Sequence, residues 1–557
     1  MQRSLLALAI LTAGTASATP FTGNDTRSSA MGNTGVASAD SFAASQFNPA
    51  LLSAYEDNVD FGLQLPSIMF SIDDGYGFIK AVNVAQNFEN TDTDAILREV
   101  GELPDAVAAT SDAADEFNDG IDAGELDAYN EANQALDDKI DTIQSELRNL
   151  EVAVDDTNDS MSTLPDKPLA LLGSIGTAIA IPRSGLGLAL HLNTSANVGM
   201  RANIADDDLN TLELAVDDTL GYTDEADQLT TLSAEVSAAA EVLSGFNEAG
   251  DPCSGTIAYQ NAYNDFLIAQ ANLEAESNGT TINLDSTGGD PGDLCSGTHD
   301  ADYDGNNVST YTSVNGFYVN GEFDSTATDG FGENSTVTIL GANVIELGVS
   351  AAREFTYMGQ TFSVGVTPKL QSLQIFEDTI AFDEAGNFDT STLSQNTTTA
   401  FTGNLDIGVA KNWYNIWGGQ VRAGLAVKDL IPQTFESASG RELSMGPKAR
   451  IGAAHETRFS TVALDLDLTE NEPLGYGVTT RYIGLGGELD AFNWMKVRAG
   501  YRNNLSVDDS HVITTGLGFT PFGTGLDLTA WFSPASFDEW EDIVRDAGFA
   551  TQFSMNW

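Results

Sequence analysis

The stretch Val462-Ala463-Leu464-Asp465-Leu466-Asp467-Leu468-Thr469 alternates apolar residues with small or polar ones. Successive side chains of a β-strand point to opposite faces, so this stretch has one apolar face and one polar face. The same alternation recurs between residues 343 and 557, for example at 404–409 and 421–428. The pattern predicts a long series of antiparallel strands, which either a soluble sandwich or a membrane barrel can contain.

Two further features favour the barrel. The chain ends in Phe553-Ser554-Met555-Asn556-Trp557, and this terminal aromatic with apolar residues at alternate positions resembles the sorting signal of bacterial outer-membrane barrels. Connections alternate in length, since 182–185 and 456–459 are short whereas 383–399 and 432–446 are long. Outer-membrane barrels have short periplasmic turns and longer extracellular loops. We therefore predict an all-β transmembrane barrel of about 14 antiparallel strands, within a range of roughly 12 to 16, with both termini in the periplasm.

The first predicted strand covers residues 77–84, and residues 58–65 are either a further strand or part of an N-terminal plug. Aromatic residues such as Trp417 and Trp494 crowd the short turns, where they fit a girdle at the membrane interface. The remaining predicted strands are 169–181, 186–196, 343–352, 361–375, 401–411, 420–430, 448–455, 461–469, 478–488, 496–502, 511–520, 526–532 and 549–557.

The N-terminal residues 1–18 have the pattern of a secretory signal peptide. Arg3 gives the charged start, residues 5–11 are apolar, and Ala16-Ser17-Ala18 is a small-residue cleavage site. A short buried helix is the alternative interpretation. No later run is long and apolar enough to predict a membrane-spanning helix. Export with cleavage near Ala18, combined with the predicted barrel, places the protein in the outer membrane of a Gram-negative bacterium.

The chain is strongly acidic. It carries 82 Asp and Glu against 23 Lys and Arg, a formal net charge of -59. Binding to nucleic acid through phosphates requires clustered basic residues, so we expect no nucleic-acid partner. Such acidity fits a surface whose self-repulsion is screened by salt.

A segment rich in glycine and small residues, 27–36, precedes the motif Asn48-Pro49-Ala50. Together they resemble the start of FadL-like outer-membrane proteins, and more narrowly of the TraF-like proteins of conjugal transfer. Residues 364–371 also resemble the TraF-like pattern. The resemblance covers about residues 27–77 and the C-terminal strands. It implies a plug, or hatch, at 19–76 inside a barrel formed by 77–557. The plug residues Phe42, Phe47, Leu51 and Leu52 suit either an apolar pocket near the hatch or ordinary plug packing.

Two acidic inserts, 86–168 and 202–340, interrupt the strand pattern, and in the barrel both lie outside the cell. Each contains apolar residues at helical spacing, which predicts amphipathic helices. The stripes are more typical of helices that pack on one another as a small bundle than of partner-binding helices. The stripes are Leu136, Ile140, Ile143, Leu147, Leu150 and Val154; Leu229, Leu232, Val236, Ala239 and Leu243; and Tyr259, Tyr263, Phe266, Gln270 and Leu273.

The second insert contains both cysteines, Cys253 and Cys295. In an exported chain they are expected to form a disulfide, which would stabilise the insert by about 4 kcal/mol on the chain-entropy estimate. Free thiols and a metal site are the alternatives.

An acidic loop follows the second cysteine. Asp300, Asp302 and Asp304 precede Gly305 and Asn306, a pattern that resembles the first half of a calcium loop. Position twelve of such a loop would be Tyr311 rather than a bidentate Glu, so an acidic turn without an ion is an equal alternative. Calcium is the one cofactor that the sequence suggests.

Charged residues on the polar faces of the strands are predicted to line the barrel lumen, because basic residues facing lipid would be costly. We expect them to form structural networks with the plug. The predicted lumen charges are Glu346, Lys369, Asp406, Arg422, Lys428, Asp465, Asp467, Lys496, Arg498 and Arg502.

No catalytic set stands out in the sequence. The four histidines, His191, His299, His455 and His511, are scattered, and no Gly-x-Ser-x-Gly, His-Glu-x-x-His or phosphate-loop motif occurs. We therefore predict that the protein is not an enzyme.

The resemblances imply two functions. A TraF-like protein would be a surface protein of the conjugal-transfer type, acting through its extracellular region on a cell-surface or conjugation partner. A FadL-like protein would instead let hydrophobic or small amphipathic compounds, its ligands, cross the outer membrane passively. A structural surface protein with a closed lumen is a third interpretation. In each case outer-membrane lipid and the barrel-assembly machinery are expected partners.

Overall fold

The computed structural model describes residues 21, 23–54, 61–81, 109, 123–246, 255–278, 283–284, 299–300, 312–319, 322–323, 334–381, 396–490, 492, 494–508, 510–533 and 545–556. The signal segment, Trp557, both cysteines and positions 302, 304 and 306 of the predicted calcium loop lie outside these residues. The chain divides into two units: Met1–Val82, Thr163–Ile204 and Ser335–Trp557 form the first, and Asn83–Ser162 and Ala205–Asn334 form the second.

The first unit is a closed antiparallel barrel in which each strand pairs with its neighbours in sequence and β1 pairs with β14. The prediction of about 14 strands is therefore confirmed. The strands are β1 Gly62–Asp73, β2 Leu169–Ile181, β3 Gly187–Asn203, β4 Thr336–Tyr357, β5 Gln360–Ala381, β6 Thr397–Ile416, β7 Gly419–Lys428, β8 Lys448–Glu456, β9 Ser460–Asp467, β10 Tyr482–Asp490, β11 Met495–Asn504, β12 His511–Phe519, β13 Thr524–Phe532 and β14 Asp546–Asn556.

Strand β9 shows how the alternation positions its side chains. Asp465 and Asp467 point inward and are fully buried, whereas Val462 and Leu464 point outward and are about half exposed (52% and 45%). The neighbouring strands repeat this arrangement and give the barrel an apolar outer band. A Lys or Arg in such a band costs about 2–4 kcal/mol at the membrane midplane, which explains why these strands place their charges inside.

The predicted first strand at 77–84 is wrong, because the first strand is β1. Residues 78–81 form a helical turn, whose amides at Phe78 and Ile79 donate to the carboxylate of Asp74. In β1 itself the register shifts between Gln64 and Ser67 on both sides, which accommodates Pro66 as a bulge. The barrel therefore begins at residue 62, inside the range 19–76 that was predicted to be plug, and β1 overlaps residues 58–65, for which a further strand was the alternative prediction.

The short and long connections alternate as predicted. Two of the short turns have both residues at positive φ, namely Met358 (49°) with Gly359 (74°) and Trp417 (49°) with Gly418 (79°). This is the geometry of the two-residue hairpin loops whose twist matches the flanking strands. Aromatic side chains crowd this end of the barrel, where Trp417 is 87% exposed. We refer to it below as the short-turn end, and to the opposite end as the long-loop end.

Strands β3 and β4 continue further than predicted, so the second insert lies between Asn203 and Thr336 rather than at 202–340. In the connection between β7 and β8, Gln433–Glu436 pairs with Glu442–Met445 as a small hairpin. Its residues Phe435 and Leu443 join an inner apolar cluster with Leu340 of β4. Two 3-10 helices, Leu164–Asp166 and Pro521–Gly523, lie at strand ends.

Within the described residues, three short helices precede the barrel. They are α1 Thr26–Ala30, α2 Ala44–Phe47 and α3 Leu51–Ala54, and every residue in them is buried. Asp25 caps α1 by accepting a hydrogen bond from the Ser28 amide at 2.9 Å. We call residues 23–54 the N-terminal segment.

The second unit contains the predicted helices, α4 Ala123–Ser162, α5 Asp206–Ser244 and α6 Ile257–Asn278. Their apolar stripes meet in one core, in which Phe266 is fully buried, and Tyr222 stacks on Tyr318 with ring centroids 4.8 Å apart. The prediction that the stripes pack on one another is confirmed for the described side chains except Val154, which is buried outside this core; the side chains of Leu147, Leu150, Leu229 and Gln270 are not among those described. None of the helices in the described ranges is long and apolar enough to cross a membrane.

Candidate functional site

The N-terminal segment lies in the lumen of the barrel. The motif Asn48-Pro49-Ala50 is its closest approach to β5 and β6. Asn48 donates through Nδ2 to the carbonyl oxygens of Val36 (2.9 Å) and Val409 (3.2 Å). A Cβ on Gly408 of β6 would overlap the Asn48 side chain, so glycine is needed there for the segment to reach the wall. That the segment acts as a plug stays a prediction.

Four apolar residues of the segment were predicted either to form an apolar pocket near the hatch or to take part in ordinary packing, and in the structure they take part in packing. Phe42, Phe47, Leu51 and Leu52 are fully buried and pack against small residues of the barrel wall. None of them lines the lumen cavity described below. The wall residues that they meet are Ala180, Ala189, Ala352, Ala410 and Ala426.

Charged side chains of the barrel bind the segment at one side of the lumen. Arg27 of α1 donates through Nε and Nη2 to the two carboxylate oxygens of Glu488, at 2.9 and 3.0 Å. Glu488 also accepts from Arg498 Nε at 2.7 Å, and Arg498 pairs in turn with Asp527. Lys496 lies at the edge of this network, with its ammonium 3.9 Å from Glu488. Two positively charged guanidinium groups therefore share one buried carboxylate.

Other wall residues bind the backbone of the segment. Asp465 accepts hydrogen bonds from the amides of Gly35 and Val36 at 2.8 and 2.9 Å. Arg450 donates to the Asn33 carbonyl at 3.0 Å while it pairs with Asp467 at 2.6 Å.

Two more cations of the wall donate to backbone carbonyls of the same segment. Arg422 donates to the Ala37 carbonyl at 3.2 Å, and Lys428 donates to the Gln46 carbonyl at 2.9 Å. Hydrogen bonds to charged groups are stronger than neutral ones, so these contacts fix the path of the segment.

A second charge cluster joins strands β4 to β7. The ammonium of Lys369 lies 2.9 Å from Glu346, 2.9 Å from Asp406 and 2.6 Å from Asp429. Lys448 adds a second pair to Asp429 at 2.9 Å. Burial alone would raise the pKa of Asp429, which follows the end of β7, but the two lysines hold it well below its usual range.

The last predicted lumen charge, Arg502, belongs to a third group. Its Nη2 donates to both oxygens of Asp546, at 2.6 and 2.8 Å. The guanidinium lies over the rings of Tyr482 (5.4 Å) and Trp531 (5.6 Å). Asp73, the last residue of β1, faces Asp546 directly across the pairing of β1 with β14.

A cavity of about 200 Å³ occupies the lumen toward the long-loop end, beside the second and third charge groups. Its charged lining includes Lys369, Glu346 and Arg502. The apolar part of the wall is formed by Met69, Leu172, Val344, Met445, Leu474 and Val478.

The connection between β9 and β10 crosses the lumen and covers part of this cavity. Leu474 and Val478 in this connection are buried. Its Tyr476 packs directly on the backbone of Gly199 in β3, and Gly475 lies against Leu340 of β4. Strands β3 and β4 are on the opposite wall from β9 and β10 in the barrel order. The N-terminal segment thus lies on the short-turn side of the cavity, and this connection lies on its long-loop side.

The sequence did not single out several residues of this site. Lys448 and Arg450 alternate on the inward face of β8 and could have been found by the rule that gave the other lumen charges. Asp429 lies just beyond a strand, and Trp531 is an aromatic on an inward face. The alternation in β13 gives the inward face of Trp531, but its contact with Arg502 and the position of Asp429 depend on the closed barrel.

The sequence matches a known protein family over most of its length. Residues 46–467 match the family described as "F plasmid transfer operon, TraF, protein". No curated protein matches the chain.

Solved structures of similar shape include the toluene transporter TbuX of Ralstonia pickettii, with 10% identity, a TM-score of 0.38, and 96% of this chain and 98% of that chain covered. The toluene transporter TodX of P. putida gives 9% identity, a TM-score of 0.35, and coverage of 97% and 99%. A porin variant of Rh. blastica has 10% identity and a TM-score of 0.22, with 70% of this chain and 91% of that chain covered. Since the family match spans most of the sequence, this chain belongs to the family of the TraF protein of the F plasmid transfer operon.

Proposed function

We propose that this protein is a passive transporter of small amphipathic compounds across the outer membrane, with the lumen cavity as the site where the solute binds. The observation that carries the proposal is the cavity itself, a space with both charged and apolar walls inside a closed barrel. Ligand sites generally combine an apolar lining with a few well-placed polar groups. Passage would require the N-terminal segment to move, and polar contacts supply many of its attachments to the wall.

The test is solute efflux from liposomes that contain the purified full chain. N-acetyltyrosinamide, an uncharged amphipath that crosses lipid slowly, serves as the solute. We expect efflux several-fold faster than from liposomes without protein. A sugar too large for the cavity, such as raffinose, should be retained in both preparations. Equal efflux of N-acetyltyrosinamide with and without the protein would overturn the proposal.

A second function is supported by a separate observation. The helical unit has a core of its own, and from residue 202 to residue 352 the chain contains no Lys or Arg. The family takes its description from the TraF protein of a plasmid transfer operon. In such a family an acidic helical surface fits a non-catalytic contact role during conjugal transfer. The lumen cavity supports the transport function, and the acidic helical unit supports this second one.

Replacing Phe266 with alanine tests the contact role. The side chain is fully buried among the three helices, so its loss should destabilise the helical unit by about 3–5 kcal/mol. Mating frequency of cells carrying the variant should fall, while the barrel still shows heat-modifiable migration on gels. Val242→Ala, at an exposed position of α5, is the matched control and should leave mating unchanged. Normal mating with a melted helical unit, shown by circular dichroism, would count against the contact role.

A further inference from the structure

One wall of the lumen cavity ends in a carboxylate. Met69, Ser71 and Asp73 alternate along the last part of β1, and all three line the cavity. Phe70, between the first two, points outward and is 43% exposed. The residues opposite the three on β2 line the cavity as well, so this face of β1 and β2 forms one of its walls. Asp73 lies at the long-loop end of that wall.

Among the described residues Asp73 has no ion-pair partner. Its Oδ1 accepts a hydrogen bond from the Gly75 amide at 3.2 Å. Arg502 donates instead to both oxygens of Asp546, which faces Asp73 across the pairing of β1 with β14. Arg545, the residue before Asp546, donates to the Gly75 carbonyl at 3.0 Å. Two carboxylates of the cavity lining therefore share one guanidinium, and the remaining negative charge must be balanced by a proton or by a cation.

The rest of the charged lining is balanced. The second charge cluster, together with the neighbouring Lys428, contains as many cationic side chains as carboxylates. They are Lys369, Lys428 and Lys448 with Glu346, Asp406 and Asp429. The excess negative charge of the lining thus lies at Asp73.

Apolar side chains lie beside this carboxylate. A Cβ on Gly75 would be 3.0 Å from Cγ2 of Val478, so the connection between β9 and β10 packs against the turn that follows Asp73. Met69 and Leu172 continue the apolar lining along β1 and β2. Burying an unpaired charge is costly and pairing reduces that cost, so a carboxylate beside an apolar surface favours a ligand with one positive charge and an apolar body.

The lining does not favour an anionic ligand. Such a ligand would lie near the carboxylates of Asp73 and Asp546, and like charges in one site repel each other. Lys369, Lys448 and Arg502 are already paired with carboxylates, and Lys428 donates to a backbone carbonyl. An uncharged ligand would leave the excess charge of the lining as it is.

We infer that the cavity binds small cationic amphipaths, with a primary ammonium paired to Asp73 and a short apolar body packed along Met69, Leu172 and Val478. Arylalkylamines belong to this class. The net charge of -59 would also raise the concentration of cations near the protein. This inference rests on the proposed transport function and names its substrate class.

Calorimetric titration of the purified full chain in a non-ionic detergent tests the inference, with titration into detergent alone as the blank. The three probes share a phenyl ring on a two-carbon chain: phenethylamine, phenethyl alcohol and 3-phenylpropanoate. At about pH 8 the amine is still charged, since alkylamines titrate near the lysine value of about 10. We expect phenethylamine to bind about tenfold more tightly than the alcohol, and 3-phenylpropanoate to bind most weakly.

Asp73→Asn should weaken phenethylamine binding about tenfold and leave the affinity for phenethyl alcohol unchanged. The barrel should stay stable, because the substitution removes a negative charge that faces Asp546; heat-modifiable migration on gels checks this. Asp508→Asn is the matched control. It makes the same change in net charge at an exposed position between β11 and β12 that does not line the cavity, so it should bind phenethylamine as the unmodified protein does.

If a proton alone balances the excess charge, the amine and the alcohol will bind equally, and that result would overturn the inference. Tighter binding of 3-phenylpropanoate, unchanged phenethylamine affinity in folded Asp73→Asn, or no binding of any probe would overturn it as well. The efflux measurement is independent of these titrations. Selective amine binding without efflux would refute transport and leave the site, whereas efflux without selective amine binding would support transport and refute this substrate class.

Discussion

Lys369→Met should lower the free energy of unfolding of the barrel by about 3–5 kcal/mol. The ammonium lies within 2.9 Å of Glu346, Asp406 and Asp429, and the lysine and both aspartates are almost fully buried. Removing it leaves these carboxylates close together with less positive charge to balance them. The temperature at which the folded band converts to the unfolded band on gels measures the loss.

Lys496→Met is the matched control for this effect. Its ammonium is partly exposed and lies 3.9 Å from Glu488, which already binds two guanidinium groups, so we expect a loss of at most about 1 kcal/mol. Adding Asp406→Asn to Lys369→Met removes one of the stranded charges and should restore part of the stability. If Lys369→Met and Lys496→Met cost the same, the cluster does not act as a buried charge network.

Excision of residues 23–54, with the export signal kept, should widen the path through the lumen and raise its conductance, although the connection between β9 and β10 still crosses it. The segment occupies the short-turn half of the lumen and contacts the wall through Arg27, Asn48 and its buried apolar residues. Without it, the inward charges of β8 to β11 would face water. A lumen of this strand number lies between the filled 8-stranded barrels and the aqueous porins, so conductance should rise on the order of tenfold or more.

Single-channel recording in planar bilayers measures this change. Heat-modifiable migration must first show that the shortened protein still forms a barrel. Arg27→Gln, which weakens the segment's attachment to Glu488 but keeps the segment, should give only brief openings. A folded, shortened barrel that conducts no better than the full chain would contradict the prediction and would show that removing the segment is not enough to open the lumen.

The alternation of apolar and polar residues was enough to locate most of the barrel but not its first strand. Residues 461–469 and their equivalents carry a strict two-residue period, and the structure has strands at those positions. In β1 the bulge between Gln64 and Ser67 shifts the period and includes Pro66, so the pattern there is broken. The ends of β4 and β5 extend beyond the predicted limits because they pair with each other along their whole length.

The candidate site was predictable only in part, for a related reason. The inward direction of Lys369 or Asp465 follows from the strand period. Their partners do not follow from it, since Asp465 and Gly35 are separated by 430 positions and meet only in the closed barrel. The cavity depends on the path of the connection that carries Leu474, and no local pattern encodes that path.

The pairing of β1 with β14 has a consequence for biogenesis. The N-terminal segment precedes β1 in the chain, yet it is enclosed by strands that end at Asn556. Gln552 of β14 accepts hydrogen bonds from both the Thr26 amide (3.1 Å) and the Gln64 side chain (3.2 Å). Gln552 therefore hydrogen-bonds both to β1, its partner strand, and to the N-terminal segment inside the barrel. We expect these two hydrogen bonds to form only when β14 pairs with β1, because Gln552 belongs to that last strand.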